Sequence, residues 1–97
     1  MKEKFDSYFE KLLRRDDPES YLLYAFLKRT LKQFHLDKFY EPNDILNEVY
    51  CRTIKALEKG TIIHSFSGWV RATGFNCVRE FSRKEKKIRI SQEALII

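Results

Sequence analysis

Ninety-seven residues, 43% of them apolar and 34% charged, make one domain with a single small core. That composition excludes a disordered chain, and 3 Gly with 2 Pro leave little turn chemistry for a multi-strand fold. The net charge of +5 is uneven: residues 1–59 hold 12 basic against 11 acidic side chains, residues 60–97 hold 7 against 3. A basic second half points to a polyanion, and more simply to nucleic acid than to an anionic membrane, because no Trp- or Leu-rich face stands beside it.

Residues Met1 to Arg15 read as an amphipathic helix, with Phe5, Tyr8, Phe9, Leu12 and Leu13 at helical spacing. Asp16-Asp17-Pro18 ends it and opens a second helix, with Asp17 as cap, Pro18 at the first helical position and Glu19 in the first turn. This second helix runs to about Leu36. Its apolar set, Tyr21 to Leu27 with Leu31 and Phe34, is broad enough for a central helix packed on more than one side, and Lys28, Arg29 and Lys32 sit on the remainder.

Pro42 opens a third helix that reaches about Lys59, with Gly60 as its stop. Ile45, Leu46, Val49, Tyr50, Thr53, Ala56 and Leu57 fall on its core side, and Asp44, Asn47, Glu48, Cys51, Lys55 and Glu58 on the other. Gly60 to Ser65 is a loop in which Ile62-Ile63 suggest a brief extended piece. Ser65 caps a fourth helix that frays near Lys86. Its core stripe is Phe66, Trp69, Val70, Thr73, Cys77 and Phe81; the opposite side carries Gly68, Arg71, Ala72, Phe75, Arg79, Ser82, Arg83 and Lys86. Residues 88–97 end apolar and read as a tail or the start of a linker, either packed back on the bundle or cut before a following segment.

Arg71, Arg79, Arg83 and Lys86 recur on one side of the fourth helix with Phe75 among them. Cations that track phosphates around a ring that stacks on a base suit single-stranded nucleic acid; a solvated basic face with Phe75 buried under a neighbour is the equally weighted alternative. Asn76 on the flank reaches a base edge or makes a local cap. Asp44 and Glu48 lie one turn apart beside Asn47, which suits docking of a basic partner. Asp44 also opposes the helix dipole, and Glu48 pairs with Arg52. Cys51, Cys77, His35 and His64 are scattered and read as structural, although His64 precedes the basic helix and is a minor candidate for nucleic-acid contact. No nucleophile–base pair, metal-ligand set or phosphate loop stands out, so binding rather than catalysis is expected, with no cofactor and no metal. No apolar run approaches the ~20 residues of a membrane span, and the charged N-terminus does not resemble a signal peptide, so cytoplasm is the default.

Asp44-Ile45-Leu46-Asn47-Glu48-Val49-Tyr50, with Arg52 and Ala56-Leu57, resembles the D-L-x-Q-E-x-F … A-L helix of bacterial RNA polymerase sigma factors. Phe66-Ser67-Gly68-Trp69-Val70, then Asn76 and Arg83-Lys84, is similar to the F-x-x-W-L … N … D-x-x-R-R helix that follows it. Together they resemble region 2 of the sigma-70 family, most closely its compact alternative members, over about residues 18–87. The resemblance implies an all-α bundle of four helices that binds the clamp helices of the polymerase's largest subunit and recognises and melts the promoter −10 element. By position, Asp44, Ile45, Asn47, Glu48, Tyr50 and Ile54 would contact polymerase. The loop from Gly60 to Ser65, with His64, would help hold a flipped-out base of the non-template strand, and Arg71, Phe75, Asn76, Arg79, Arg83 and Lys86 would face promoter DNA. Phe66 and Trp69 would mainly be core.

Asn47 departs from the family's Gln, Glu80 from Asp and Phe75 from Arg, while Gly74 weakens its helix by ~1 kcal/mol against Ala. A second, −35-binding domain cannot fit in 97 residues. The expectation is therefore a region-2 module, more consistent with an excised domain of a longer sigma factor than with a region-2-only protein. Such a module would be monomeric when free, with polymerase core, the promoter non-template strand and an anti-sigma protein as partners. Its rivals are a region-2-like regulator that occupies polymerase without reading DNA, and a helical adaptor whose charged faces bind other proteins.

Overall fold

The computed structural model describes residues 1–15 and 17–96. They form four helices: α1 (Lys2–Arg14), α2 (Pro18–Gln33), α3 (Pro42–Glu58) and α4 (Phe66–Ile96). The class is all-α, as the periodicities predict. The described part of the Gly60–Ser65 loop is irregular, with no extended ladder.

Each boundary has a local cause. Asp17 accepts the Ser20 N–H at 2.8 Å and Pro18 follows it, so α2 starts where the cap chemistry says; Asp16 lies outside the described residues. α2 stops at Gln33, earlier than its apolar pattern implies. His35 takes a left-handed φ of 59°, and the N–H groups of His35 and Leu36 return to the Lys32 and Leu31 carbonyls at 3.0 and 2.8 Å. This double return closes the helix C-terminus without a glycine and folds Leu36 into the core. Gly60, at φ 89°, closes α3 in the same way. At the start of α4 the Ser65 hydroxyl accepts the Gly68 N–H at 3.2 Å.

α4 continues ten residues past the expected fraying point at Lys86, to Ile96. Residues 75–96 contain neither Gly nor Pro, and Lys84 to Lys87 are all good helix formers, so nothing in the chain stops the helix there. The expected packing of the apolar end concerns side chains at 89–97, outside the described ones.

The core is lined by Phe5, Phe9 and Leu12 of α1, Leu23, Leu27 and Leu31 of α2, Ile45, Leu46 and Val49 of α3, and Val70, Cys77 and Val78 of α4. α2 packs on each of the other three helices, as a central helix should. Its buried arc is nonetheless narrower than its apolar set. Tyr21 and Leu22 stand exposed, because the three neighbours converge on Leu23, Leu27, Thr30 and Leu31. Conversely Ser82, expected on the outer side of α4, is buried, since α4 must serve both α2 and α3. Burial pushes the Cys77 thiol up to about 11, so at neutral pH it is a protonated core side chain.

Two polar contacts, one buried and one partly buried, orient the bundle. Ser20 of α2 donates its hydroxyl hydrogen to the Leu12 carbonyl at the end of α1. Trp69 of α4 donates its indole N–H to the Thr53 hydroxyl of α3 at 2.9 Å, and Thr53 passes its own hydrogen to the Val49 carbonyl. Trp69 and Phe66 are half-buried, in keeping with a structural role.

Gly74 of α4 faces Leu27 of α2. A Cβ there would lie 2.9 Å from Leu27 Cδ2, a close contact with a fully buried side chain that would have to shift. The helix-propensity penalty of a mid-helix glycine is thus the condition for close packing. Gly74→Val is expected to lower stability by about 1–3 kcal/mol through overpacking, read from urea unfolding midpoints. A midpoint at or above that of the wild type would mean the α2–α4 contact is loose.

Candidate partner-binding faces on α3 and α4

On α3, Asp44, Asn47, Glu48 and Cys51 line one open groove with Phe39 and Tyr40 from the α2–α3 connector and Phe81 from α4. Phe39, 64% exposed, is an addition that helical periodicity could not reveal, because it lies outside any helix. Asp44 accepts the Glu41 N–H at 2.8 Å, so one of its oxygens caps α3. Glu48 accepts from Arg52 at 3.0 Å, and Arg52 reaches on to Glu80 of α4. The Arg52 guanidinium beside Glu80 holds that carboxyl below its usual range. The bridge is partly exposed, so it is a fastener between helices rather than a large stabiliser.

The six residues expected on the polymerase side do not form one patch. Asp44, Asn47 and Glu48 are brought together. Ile45 is fully buried, so its place on the partner surface is corrected: its spacing points into the core, and the periodicity outweighs the positional carry-over. Tyr50 is half-buried, its ring among Phe5 and Phe9 and its hydroxyl donating to Asp6 at 2.8 Å. That hydrogen bond, with burial, raises the Tyr50 pKa. Ile54 lies in a separate groove with Met1, Lys2, Leu57 and Ile62. α1 therefore occupies the neighbourhood of Tyr50 and Ile54.

On α4, Arg71, Asn76, Arg79, Arg83 and Lys86 are all exposed, and Phe75 is half-buried. Phe75 meets Phe34 of α2 edge-on at 5.7 Å. One side of the ring packs, and the rest lines an open cleft with Phe26, Gly68, Arg71, Ala72 and Asn76. The Arg71 guanidinium lies 5.3 Å from the Phe26 ring centre. Glu80 and Glu85, the carboxylates of α4 up to residue 88, are engaged elsewhere, by Arg52 and by the Tyr40 hydroxyl at 3.2 Å. Arg71, Arg79, Arg83 and Lys86 thus share one side of α4, while Lys84 lies one turn from Glu80 on the flank. In the preceding loop Ile63 is buried, while Ile62 and His64 are exposed, so His64 sits near the start of the basic helix without a hydrogen bond among the described residues.

Among the described residues no group of three or more His, Cys, Asp or Glu could hold a metal ion, and no helix is long and apolar enough to cross a membrane. Comparison with family models, with curated proteins and with solved structures finds no match to this chain.

Proposed function

We propose that this chain is a sigma-factor region-2 type module, acting in the cytoplasm to join RNA polymerase core to the promoter −10 region. The observation that carries the reading is the sorting of charge on the α3–α4 pair. Asp44, Asn47 and Glu48 share a groove with an exposed Phe39, while Arg71, Arg79, Arg83 and Lys86 occupy α4 away from it. The Arg52–Glu80 bridge and the Trp69–Thr53 hydrogen bond fasten the two helices together, so the two surfaces are held in a fixed relation. A rigid piece with one acidic and one basic face supports a bridge between a basic protein helix and a polyanion.

The chemistry is binding. Opposite charge at the α3 face raises encounter rate and selects the partner, and Phe39 offers an apolar anchor inside it. On α4 the cations track phosphates, and Phe75 and Asn76 meet the bases. Extruding a base costs a few kcal/mol, offset by stacking and pocket contacts.

The DNA half is tested by titrating the domain with a fluorescent single-stranded oligonucleotide over a salt series. Each phosphate-paired cation adds about 0.7 to the slope of log K against log salt for a single strand, so Arg79→Ala with Arg83→Ala is expected to flatten the slope by about 1.4. An unchanged slope would remove the basic face from the interface and favour the polymerase-occupying regulator, which binds without DNA.

A further inference from the structure

α2 has a second flank, opposite the one on which Phe26 meets α4. Tyr21, Tyr24 and Lys28, three and four residues apart, form a stripe along it. The stripe is one wall of a cleft of about 450 Å³, closed by Arg15 from the α1–α2 turn and by Glu41 and Asn43 at the start of α3. This cleft shares no lining residue with the acidic groove of α3 or with the cleft beside Phe75.

Its polar groups are arranged to donate. The Arg15 guanidinium lies over the Tyr24 ring, 3.9 Å from its centre. Tyr24 donates its hydroxyl hydrogen to Asn43 Oδ1 at 2.8 Å, which holds the ring across the cleft and leaves the Asn43 NH2 to donate. Lys28 is exposed and makes no ion pair among the described residues. The one carboxylate in the wall, Glu41, belongs to the capping box of α3. Tyr21 stands 72% exposed beside these donors, an apolar ring left open to solvent.

We propose that this cleft docks an acidic segment of a partner protein, with a carboxylate paired to Arg15 and Lys28 and a neighbouring apolar side chain laid on Tyr21. The proposal stands apart from the sigma-factor reading, since it uses neither of the faces on which that reading depends. Charge complementarity selects the occupant: two cations and an amide donor meet a single carboxylate that is already engaged. The stripe from Tyr21 to Lys28 is about 10 Å long, the reach of roughly three extended residues. A free phosphate would satisfy the cations and leave the Tyr21 ring in water, whereas a peptide answers both. Arg15 is held against Tyr24 before any partner arrives, so binding costs little side-chain ordering there.

The test is a nuclear magnetic resonance titration of the whole isotope-labelled chain at physiological salt. The probes are the acetylated peptide Glu-Gly-Phe-Gly-Glu and inorganic phosphate. The peptide is expected to give saturating shifts at the amides of Tyr21, Tyr24 and Asn43, and phosphate none that saturate. Lys28→Glu is expected to weaken the peptide roughly 10-fold and Tyr21→Ala roughly 5-fold, while Arg79→Glu on α4 changes its affinity less than about twofold. Lys28 and Tyr21 are both exposed, so neither substitution disturbs the core. Arg15 is left in place because it closes α1 at a left-handed φ of 58°. Peptide shifts that fall on α4 instead, an affinity unchanged by Lys28→Glu, or no saturating shift at all would overturn the site. Saturation by phosphate with no effect of Tyr21→Ala would overturn the docking segment and leave a bare anion in its place.

Discussion

Replacing Phe5 by alanine is expected to lower stability by about 3–5 kcal/mol, the largest single loss anticipated in this chain. Phe5 is fully buried near the start of α1. Its ring stands 5.6 Å from Phe9, 6.1 Å from Tyr50 of α3 and 5.4 Å, edge-on, from Phe66 at the start of α4. One side chain therefore ties three helices. Removing it leaves a cavity among rings that cannot all collapse inward, so the cavity penalty adds to the lost transfer energy. Set against the 5–15 kcal/mol that small domains possess, such a loss is a large fraction of the total. In a chain of this size it would lower Tm by more than about 10 °C, measured by circular dichroism. A shift of only a few degrees would mean that α1 is a dispensable flap, and that Tyr50 and Ile54 are open to a partner after all.

The second large effect concerns the acidic groove. Asn47→Arg is expected to weaken binding to a basic polymerase helix by roughly 100-fold, since like charge across an interface costs several kcal/mol. Asn47 is the right position because its side chain is exposed and holds nothing in place. Reversing Asp44 or Glu48 would change two things at once. Asp44 caps α3 through the Glu41 N–H, and Glu48 belongs to the Arg52–Glu80 bridge, so a loss of binding there would mix docking with helix stability. Asn47→Arg leaves cap and bridge intact, and the circular dichroism spectrum should not change.

Much of this architecture is legible in the sequence. Asp17-Pro18, Gly60 and Ser65 each announce a helix end through cap or φ chemistry that acts over three or four residues, and all three ends fall where that chemistry places them. What was not legible depends on neighbours distant in sequence. Gly74 looks like a weak point in α4 until Leu27 is seen 2.9 Å from where its Cβ would be. The end of α2 is invisible in advance because His35, not Gly, takes the left-handed turn. Tyr21 and Leu22 belong to an apolar run yet lie outside the arc that three neighbours can cover.

At the candidate faces the same division holds. Arg71, Arg79, Arg83 and Lys86 share a side by spacing alone, and they are exposed. Phe39 enters the acidic groove from a connector, and Phe26 enters the cleft from another helix, which no pattern within α3 or α4 encodes. Ile45 carries the opposite lesson. Its period-3.6 position pointed inward, and the packing agrees with the period rather than with the positional resemblance.

The most direct test of the two-faced module is a calorimetric titration of the domain, wild type and Asn47→Arg, against the isolated clamp helices of a bacterial RNA polymerase at low and moderate salt. The account predicts a one-to-one complex with the wild type that weakens as salt rises and is lost or roughly 100-fold weaker with Asn47→Arg. No complex at low salt, or equal affinity for the two proteins, would contradict it.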